Sequence, residues 1–215
     1  MSRRPAPSTG LVLRVDERTL PGACASLAEA DPALAALWER NGTPPLWRRD
    51  AGFPTMVRLI LEQQVSLASG RAAFERLATV VGVVAPGPFL VLDDDQLRAV
   101  GFSRQKARYT RLLATAVEEG SFSFETVAGL GDEAAAEMLL GLTGVGPWTA
   151  ANYLLFADQR ADVWPRGDRA LVVSLGRAIG SVEPPAYDDA DAMANRWRPW
   201  RAVAARLLWH DYLGG

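Results

Sequence analysis

At 215 residues, 49% of them apolar, the chain can bury one sizeable core or two small lobes sharing a cleft. A single cysteine, Cys24, excludes an internal disulfide and any four-cysteine zinc or iron–sulfur site, and a single histidine, His210, excludes a histidine-rich metal site. The net charge of −2 argues against a broad basic coat for nucleic acid, and no apolar run reaches membrane-spanning length.

The opening MSRRPAPSTG lacks the apolar stretch of a signal peptide and reads as a short tail of an intracellular protein. Residues 11–22 (LVLRVDERTLPG) read as a strand-like or extended arm. Asp31-Pro32 places a capping acid before a proline at the first helical position, which predicts a helix through about Arg40. Asn41-Gly42-Thr43-Pro44-Pro45 stops it. Two helices are expected over 54–64 and 66–81, where Met56, Leu59, Ile60 and then Leu67, Phe74, Leu77 recur at helical spacing. Ala85 to Pro88 read as a loop. Asp93 starts a short helix ending at Gly101, and Ser103 caps a longer one to about Glu119. One or two turns are expected over 123–128. Asp132 is read as the cap of the helix that enters a glycine turn. Helices over 147–158, 168–179, 188–195 and 199–213 complete the chain. No strand pairing or internal repeat is visible, so the fold class is all-α.

Charge is unevenly spread. Arg104, Lys106, Arg108 and Arg111 crowd residues 101–111 without an acid, as do Arg196, Arg198, Arg201 and Arg206 over 196–206. With an acidic total, such clusters predict any contact with nucleic acid to be local and salt-sensitive rather than made by a basic coat. A solvated helix face is the plainer account of the same charges.

The chain is organised around Leu142 to Asp168, LTGVGPWTAANYLLFADQRADVWPRGD. Gly144-Val145-Gly146 forms a tight turn between two apolar helices, and Pro147 suits the first position of the second. The unpaired N–H groups at that helix start suit an anion such as a DNA phosphate. This stretch, with the aspartate of GDRAL, resembles the helix–hairpin–helix DNA glycosylase superfamily, and within it the 3-methyladenine DNA glycosylase II (AlkA-like) branch. ILEQQVSLASGRAAFERL at 60–77, GFSRQKARYTRLLATA at 101–116 and RWRPWRAVAARLLW at 196–209 carry the same likeness in the same order.

The resemblance implies two helical lobes with a central cleft. Residues 1–53 would form an N-terminal arm and helix packing with the C-terminal lobe, 54–160 the lobe containing the hairpin, and 161–215 the C-terminal lobe. The additional β-rich domain of the alkyl-base relative would be absent or much reduced. The resemblance also implies a catalytic aspartate at Asp168, which can stabilise the sugar cation formed when a base leaves. As an Asp before Arg169-Ala170-Leu171, it is also a good helix cap, and the two roles are compatible. Trp148 stands where strand-cutting members carry a lysine. It has no amine for a Schiff base, so the chain should be monofunctional. Trp148 and Trp209 match pocket tryptophans, whose faces attract a cationic alkylated purine. The family's pocket tyrosine is matched by Asn152, with Tyr153 one step further around the helix.

By the same resemblance, Gln63 and Gln64 would lie in the segment that enters the gap left by a flipped nucleotide, with Gln64 at the wedge position. Gly144, Gly146 and Thr149 are expected to contact phosphate. Trp197 and Trp200 read as packing residues and His210 is assigned no role. No cofactor is required, although hairpin carbonyls in such proteins often hold a monovalent cation. The expected partner is double-stranded DNA with damaged bases, met by a monomer. The implied function is excision of alkylated purines such as 3-methyladenine and 7-methylguanine. The alternatives are a non-catalytic lesion-binding protein or a glycosylase for another lesion such as hypoxanthine.

Overall fold

A computed structural model describes residues 12–214. The tail expected over 1–10, and Leu11, lie outside the described residues. Among those described there are thirteen α-helices and one short 3-10 turn. The only β feature is an isolated bridge between Arg14 and Arg160. The chain is all-α, and it divides into two compact units, one of residues 49–153 and one of residues 12–48 with 154–214.

The first helices of the discontinuous unit are α1 (Leu20–Ala30) and α2 (Pro32–Asn41). Asp31 caps α2 by accepting the Ala33 N–H at 2.9 Å, as the Asp-Pro pair predicts. Helix α1 corrects the sequence reading, which took residues 11–22 as an extended arm. Pro21-Gly22 looks like a breaker, yet a proline in the first helical turn loses no hydrogen bond. The arm itself is short: Val15 N–H bonds Gln159 O at 2.8 Å and Ala161 N–H bonds Leu13 O at 2.9 Å.

The continuous unit contains α3 (Phe53–Glu62), α4 (Leu67–Val81), α5 (Pro86–Leu90), α6 (Asp94–Ala99), α7 (Arg104–Glu118), α8 (Phe124–Gly129) and α9 (Asp132–Leu140). Helix α10 (Pro147–Phe156) begins there. Helix α5 corrects the loop expected at 85–88: Pro86 sits in its first turn, where a missing N–H costs nothing. The cap of α9 is Gly131, and Asp132 is instead its first helical residue, where its charge still favours the helix N-terminus. Asp93 and Ser103 cap α6 and α7 as their spacing predicts, the former in a reciprocal box with Gln96. Helices α3, α5 and α7 enclose the core of this unit. Phe89 lies at its centre, 6.0 Å from the Phe53 ring and 5.5 Å from that of Phe102.

The discontinuous unit is completed by α11 (Arg169–Ala178), α12 (Tyr187–Ala194), the 3-10 turn Asn195–Trp197, and α13 (Arg201–Tyr212). Helix α13 packs on α1, α2 and α11 and is buried on every side from Ala202 to Trp209. A helix with no solvent face must satisfy every polar side chain it carries. That requirement falls on Arg206, in its middle.

Candidate functional site

The glycine turn joins α9 to α10 within the continuous unit. Val145 N–H bonds Leu142 O at 3.1 Å, and Gly146 O accepts the first bond of α10 from Ala150 N–H at 2.9 Å. The two glycines differ. Gly144 has φ +88° and its α-carbon lies under the Tyr109 ring, where a β-carbon would come within 2.1 Å of Cδ2. A β-carbon on Gly146 would meet nothing within 4 Å. Gly144 shapes the turn, while Gly146 leaves space beside it. Pro147 opens α10, so the first-turn N–H groups face away from the helix body, the geometry that suits an anion.

The turn between α3 and α4 is tied to this hairpin. Gln63 Nε2 donates to Gly144 O and to Thr149 Oγ1, both at 2.9 Å. Thr149 is correspondingly buried. Lys106, from α7, donates through Nζ to Leu61 O and Gln63 O at 2.8 Å each, closing the end of α3. Burial pushes the Lys106 ammonium below its ordinary pKa. Gln64 is exposed, with φ +56°, and so are Val65 and Ser66 after it. Thus the sequence pair Gln63-Gln64 splits into one residue bound to the hairpin and one presented to solvent. Glu62, at the end of α3, is buried and paired by Arg49 at 3.0 and 3.1 Å and by Arg58 at 3.0 Å.

On α10, Asn152 and Tyr153 are each 1% exposed. Asn152 Nδ2 donates back to Trp148 O at 2.8 Å. The Tyr153 hydroxyl accepts from Gly52 N–H at 2.8 Å, and its ring lies 5.2 Å from that of Phe124. Both side chains are therefore embedded in packing. Trp148 is half-buried.

In the discontinuous unit, Asp168 caps α11 by accepting Leu171 N–H at 3.1 Å through Oδ1. The same oxygen accepts Trp209 Nε1–H at 3.2 Å. The carboxylate remains partly exposed. The Trp209 ring is stacked on Phe156, centroids 5.4 Å apart and planes 21° apart. Trp47 stands nearly perpendicular to it, at 6.5 Å and 72°, and also meets the His210 ring at 6.4 Å. An acid and an aromatic cluster thus converge through one indole N–H.

Arg206 lies beneath that cluster, wholly buried and without an ion pair among the described residues. Its guanidinium reaches Leu46 O at 3.2 Å, Ala202 O at 3.2 Å, Leu155 O at 2.8 Å and Gln159 Oε1 at 3.0 Å. Burial lowers its pKa to about 9, so it stays protonated at neutral pH. The other arginines of the 196–206 block are paired to acids far away in sequence, Arg196 to Asp31 and Arg198 and Arg201 to Asp162. Trp197 is buried, its Nε1–H bonded to Asp31 at 2.7 Å, in keeping with a packing role. On α7, Arg104 and Arg108 are exposed.

Residues 57–199 match the family described as HhH-GPD superfamily base excision DNA repair protein. The chain belongs to this family. YfjP of Bacillus subtilis, whose name assigns it provisionally as a DNA-3-methyladenine glycosylase, is 29% identical over 187 residues, 83% of this chain and 65% of its own. DNA-3-methyladenine glycosylase 2 of Escherichia coli is 29% identical over 169 residues, 74% of this chain and 57% of its own. The chain therefore spans about two-thirds or less of the length of these two relatives. The fold is that of the 3-methyladenine DNA glycosylase Mag1 of Schizosaccharomyces pombe, solved with abasic DNA, with a TM-score of 0.80 at 24% identity over 87% of this chain and 95% of that one. Among the described residues no helix is long and apolar enough to cross a membrane. Nor does any group of three or more His, Cys, Asp or Glu among them suit a metal.

The sequence reading missed Trp47 and Phe156, and counted Lys106 and Arg206 among charges suited to DNA, whereas both are turned onto backbone carbonyls of the protein. Trp47 follows a proline-rich stop and carries no helical period. Arg206 could be found only by noticing a charge in the middle of an apolar helix.

Proposed function

We propose that the protein is a monofunctional DNA glycosylase of base excision repair that removes alkylated purines from double-stranded DNA. The observation that carries this reading is the Asp168 carboxylate, held on one oxygen by Leu171 N–H and Trp209 Nε1–H beside the Trp209 ring. A purine alkylated at N3 or N7 is cationic and leaves as a neutral base, so its departure needs no strong general acid. As the glycosidic C–N bond breaks, its electron pair goes to the base and positive charge develops on the deoxyribose. Asp168 stabilises that charge and orients the water that attacks the anomeric carbon; as the new C–O bond forms, the water's proton passes to the Asp168 carboxylate, which returns it to solvent. Trp209, stacked on Phe156 and 9% exposed, is read as the electron-rich back of the pocket that favours the cationic base before cleavage.

Trp148, with no amine, offers no Schiff-base route, so the product is an intact strand with an abasic site. The hairpin N–H groups at Gly146 and Thr149 are suited to a backbone phosphate, with Gly144 shaping the turn and Gln64 as the wedge; Gln63 supports the hairpin from behind. Leu142 O and Gly144 O each accept one hydrogen bond already and keep a second lone pair, which is compatible with a monovalent cation at the hairpin. The protein is read as an intracellular monomer that needs no other cofactor.

The test is base release from methylated duplex DNA, with strands examined before and after alkali. Free 3-methyladenine or 7-methylguanine, and breaks only after alkali, are expected. Asp168→Asn should slow release by about two to four orders of magnitude while duplex binding persists. Breaks without alkali would contradict the monofunctional reading. Release of hypoxanthine alone would move the substrate, and binding without release of any base would make the protein a lesion recogniser.

A further inference from the structure

Two aromatic rings touch Trp209, and the residue before each is held by the same side chain. Arg206 Nε donates to Leu46 O at 3.2 Å, one residue before Trp47, and Nη2 donates to Leu155 O at 2.8 Å, one residue before Phe156. Gln159 extends the arrangement: its Oε1 accepts from Arg206 at 3.0 Å and its Nε2 donates to Phe156 O at 2.7 Å. Arg206 sits three residues before Trp209 on α13, so one buried group links the backbone beneath all three rings. A guanidinium with only neutral acceptors is an expensive thing to bury. A fixed position for these rings is what it provides.

Trp47 carries a second sign of enforced placement. It is a non-glycine residue with φ +47°, in the left-handed region that an L side chain rarely adopts. The residue is nonetheless only half-buried. Phe156 occupies one side of Trp209 in near-parallel stacking, whereas Trp47 makes a corner with it at 72°. Trp209 is only 9% exposed, so Trp47 is the less buried of the two indoles and the one whose electron-rich ring can meet a planar cation beside Trp209. On α10 the polar tips of Asn152 and Tyr153 are committed inside the packing, so those residues offer no comparable surface.

We infer that Trp47 is a specificity-determining residue which recognises the positive charge of an N-alkylated purine, and that Arg206 is its positioning residue through the clamp on Leu46. The inference rests on the proposed glycosylase reading and deepens it by naming a second charge-sensing ring. Its contribution is electrostatic and requires an aromatic face; apolar bulk alone does not supply it.

The experiment compares single-turnover release of 7-methylguanine from duplex DNA by the wild type, Trp47→Phe and Trp47→Leu, with melting temperature and affinity for an abasic-site duplex measured alongside. Trp47→Phe should stay within about threefold of the wild type, and Trp47→Leu should lose about five- to thirty-fold at unchanged abasic-duplex affinity. Arg206→Lys, which cannot fork two carbonyls, should slow release in the wild-type background and by a clearly smaller factor in the Trp47→Leu background, where only the clamp on Leu155 is left to lose. Equal losses for Phe and Leu, or no loss for Leu, overturn the role of Trp47. Additive effects of Arg206→Lys and Trp47→Leu overturn the positioning role of Arg206. Failure of the wild type to release any methylated base removes the glycosylase reading itself, a result distinct from normal wild-type release with an indifferent Trp47.

Discussion

Replacing Gly144 by alanine asks for two things the hairpin does not allow. The backbone at φ +88° lies where a β-carbon costs about 1–2 kcal/mol. The new methyl would also meet Tyr109 at Cδ2 and Cγ, 2.1 and 2.3 Å away. Because Cγ is the root of the ring, rotation about the outer bond gives no relief and the whole ring must shift. Forced repacking of that kind costs about 1–3 kcal/mol more. Gly144→Ala should therefore lose about 2–5 kcal/mol, a fall of about 1–2 M in urea midpoint at an ordinary denaturant slope. Gly146→Ala is the control, since its φ is not left-handed and its β-carbon would meet nothing within 4 Å. That variant should be neutral or gain a few tenths of a kcal/mol (about 0.4) by restricting the unfolded chain. Tyr109→Ala should recover part of the Gly144→Ala loss, with a coupling of about 1–3 kcal/mol. Equal midpoints for the two alanine variants, or strict additivity with Tyr109→Ala, would refute the account of the hairpin as a turn shaped by close approach.

Glu62→Gln should destabilise by about 2–3 kcal/mol in urea unfolding, because Arg49 and Arg58 would lose a buried carboxylate partner while keeping some solvent of their own. The same change at the exposed Arg71–Glu75 pair should leave the urea midpoint almost unmoved. Lys106→Met strands Leu61 O and Gln63 O and should cost about 1–3 kcal/mol, with faster amide exchange in the last turn of α3. At Asp211, burial raises the carboxyl, but hydrogen bonds from Ser174, Arg40 and Asn41 outweigh it and leave the folded pKa below 3.8. The unfolded chain then takes up the proton at a higher pH than the folded one. The stabilisation is complete above pH 3.8 and disappears as pH falls through the lower folded value, so Asp211→Asn should flatten the acid limb of a melting-temperature profile just below pH 4.

Helix starts were legible wherever a capping side chain stood before an amphipathic run, as at Asp31, Asp93, Ser103 and Asp168. They were illegible where proline and glycine opened the helix. Leu20-Pro21-Gly22 and Pro86-Gly87-Pro88 look like breakers, and only the position within the first turn makes them harmless. The candidate acid and Trp209 could be named from spacing and resemblance, but the bond between them spans 41 residues and could not. The arginine block at 196–206 looked like a basic face because its acids, Asp31 and Asp162, lie elsewhere in the chain. Trp47 was hidden for the same reason: its neighbours Trp209 and His210 come from the other end of the sequence.

The ties among Gln63, Lys106 and the hairpin bear on the thermodynamics of engagement. Gln63 spans from the α3–α4 turn to Gly144 and Thr149, and Lys106 locks the same turn from α7. The gap between the tip at Gln64 and the first turn of α10 is therefore set in the free protein, like the jaws of a caliper locked at one reading. On the proposed reading, a strand meeting both features would freeze little new motion in the protein, because the ordering that commonly erodes affinity is already complete in the fold.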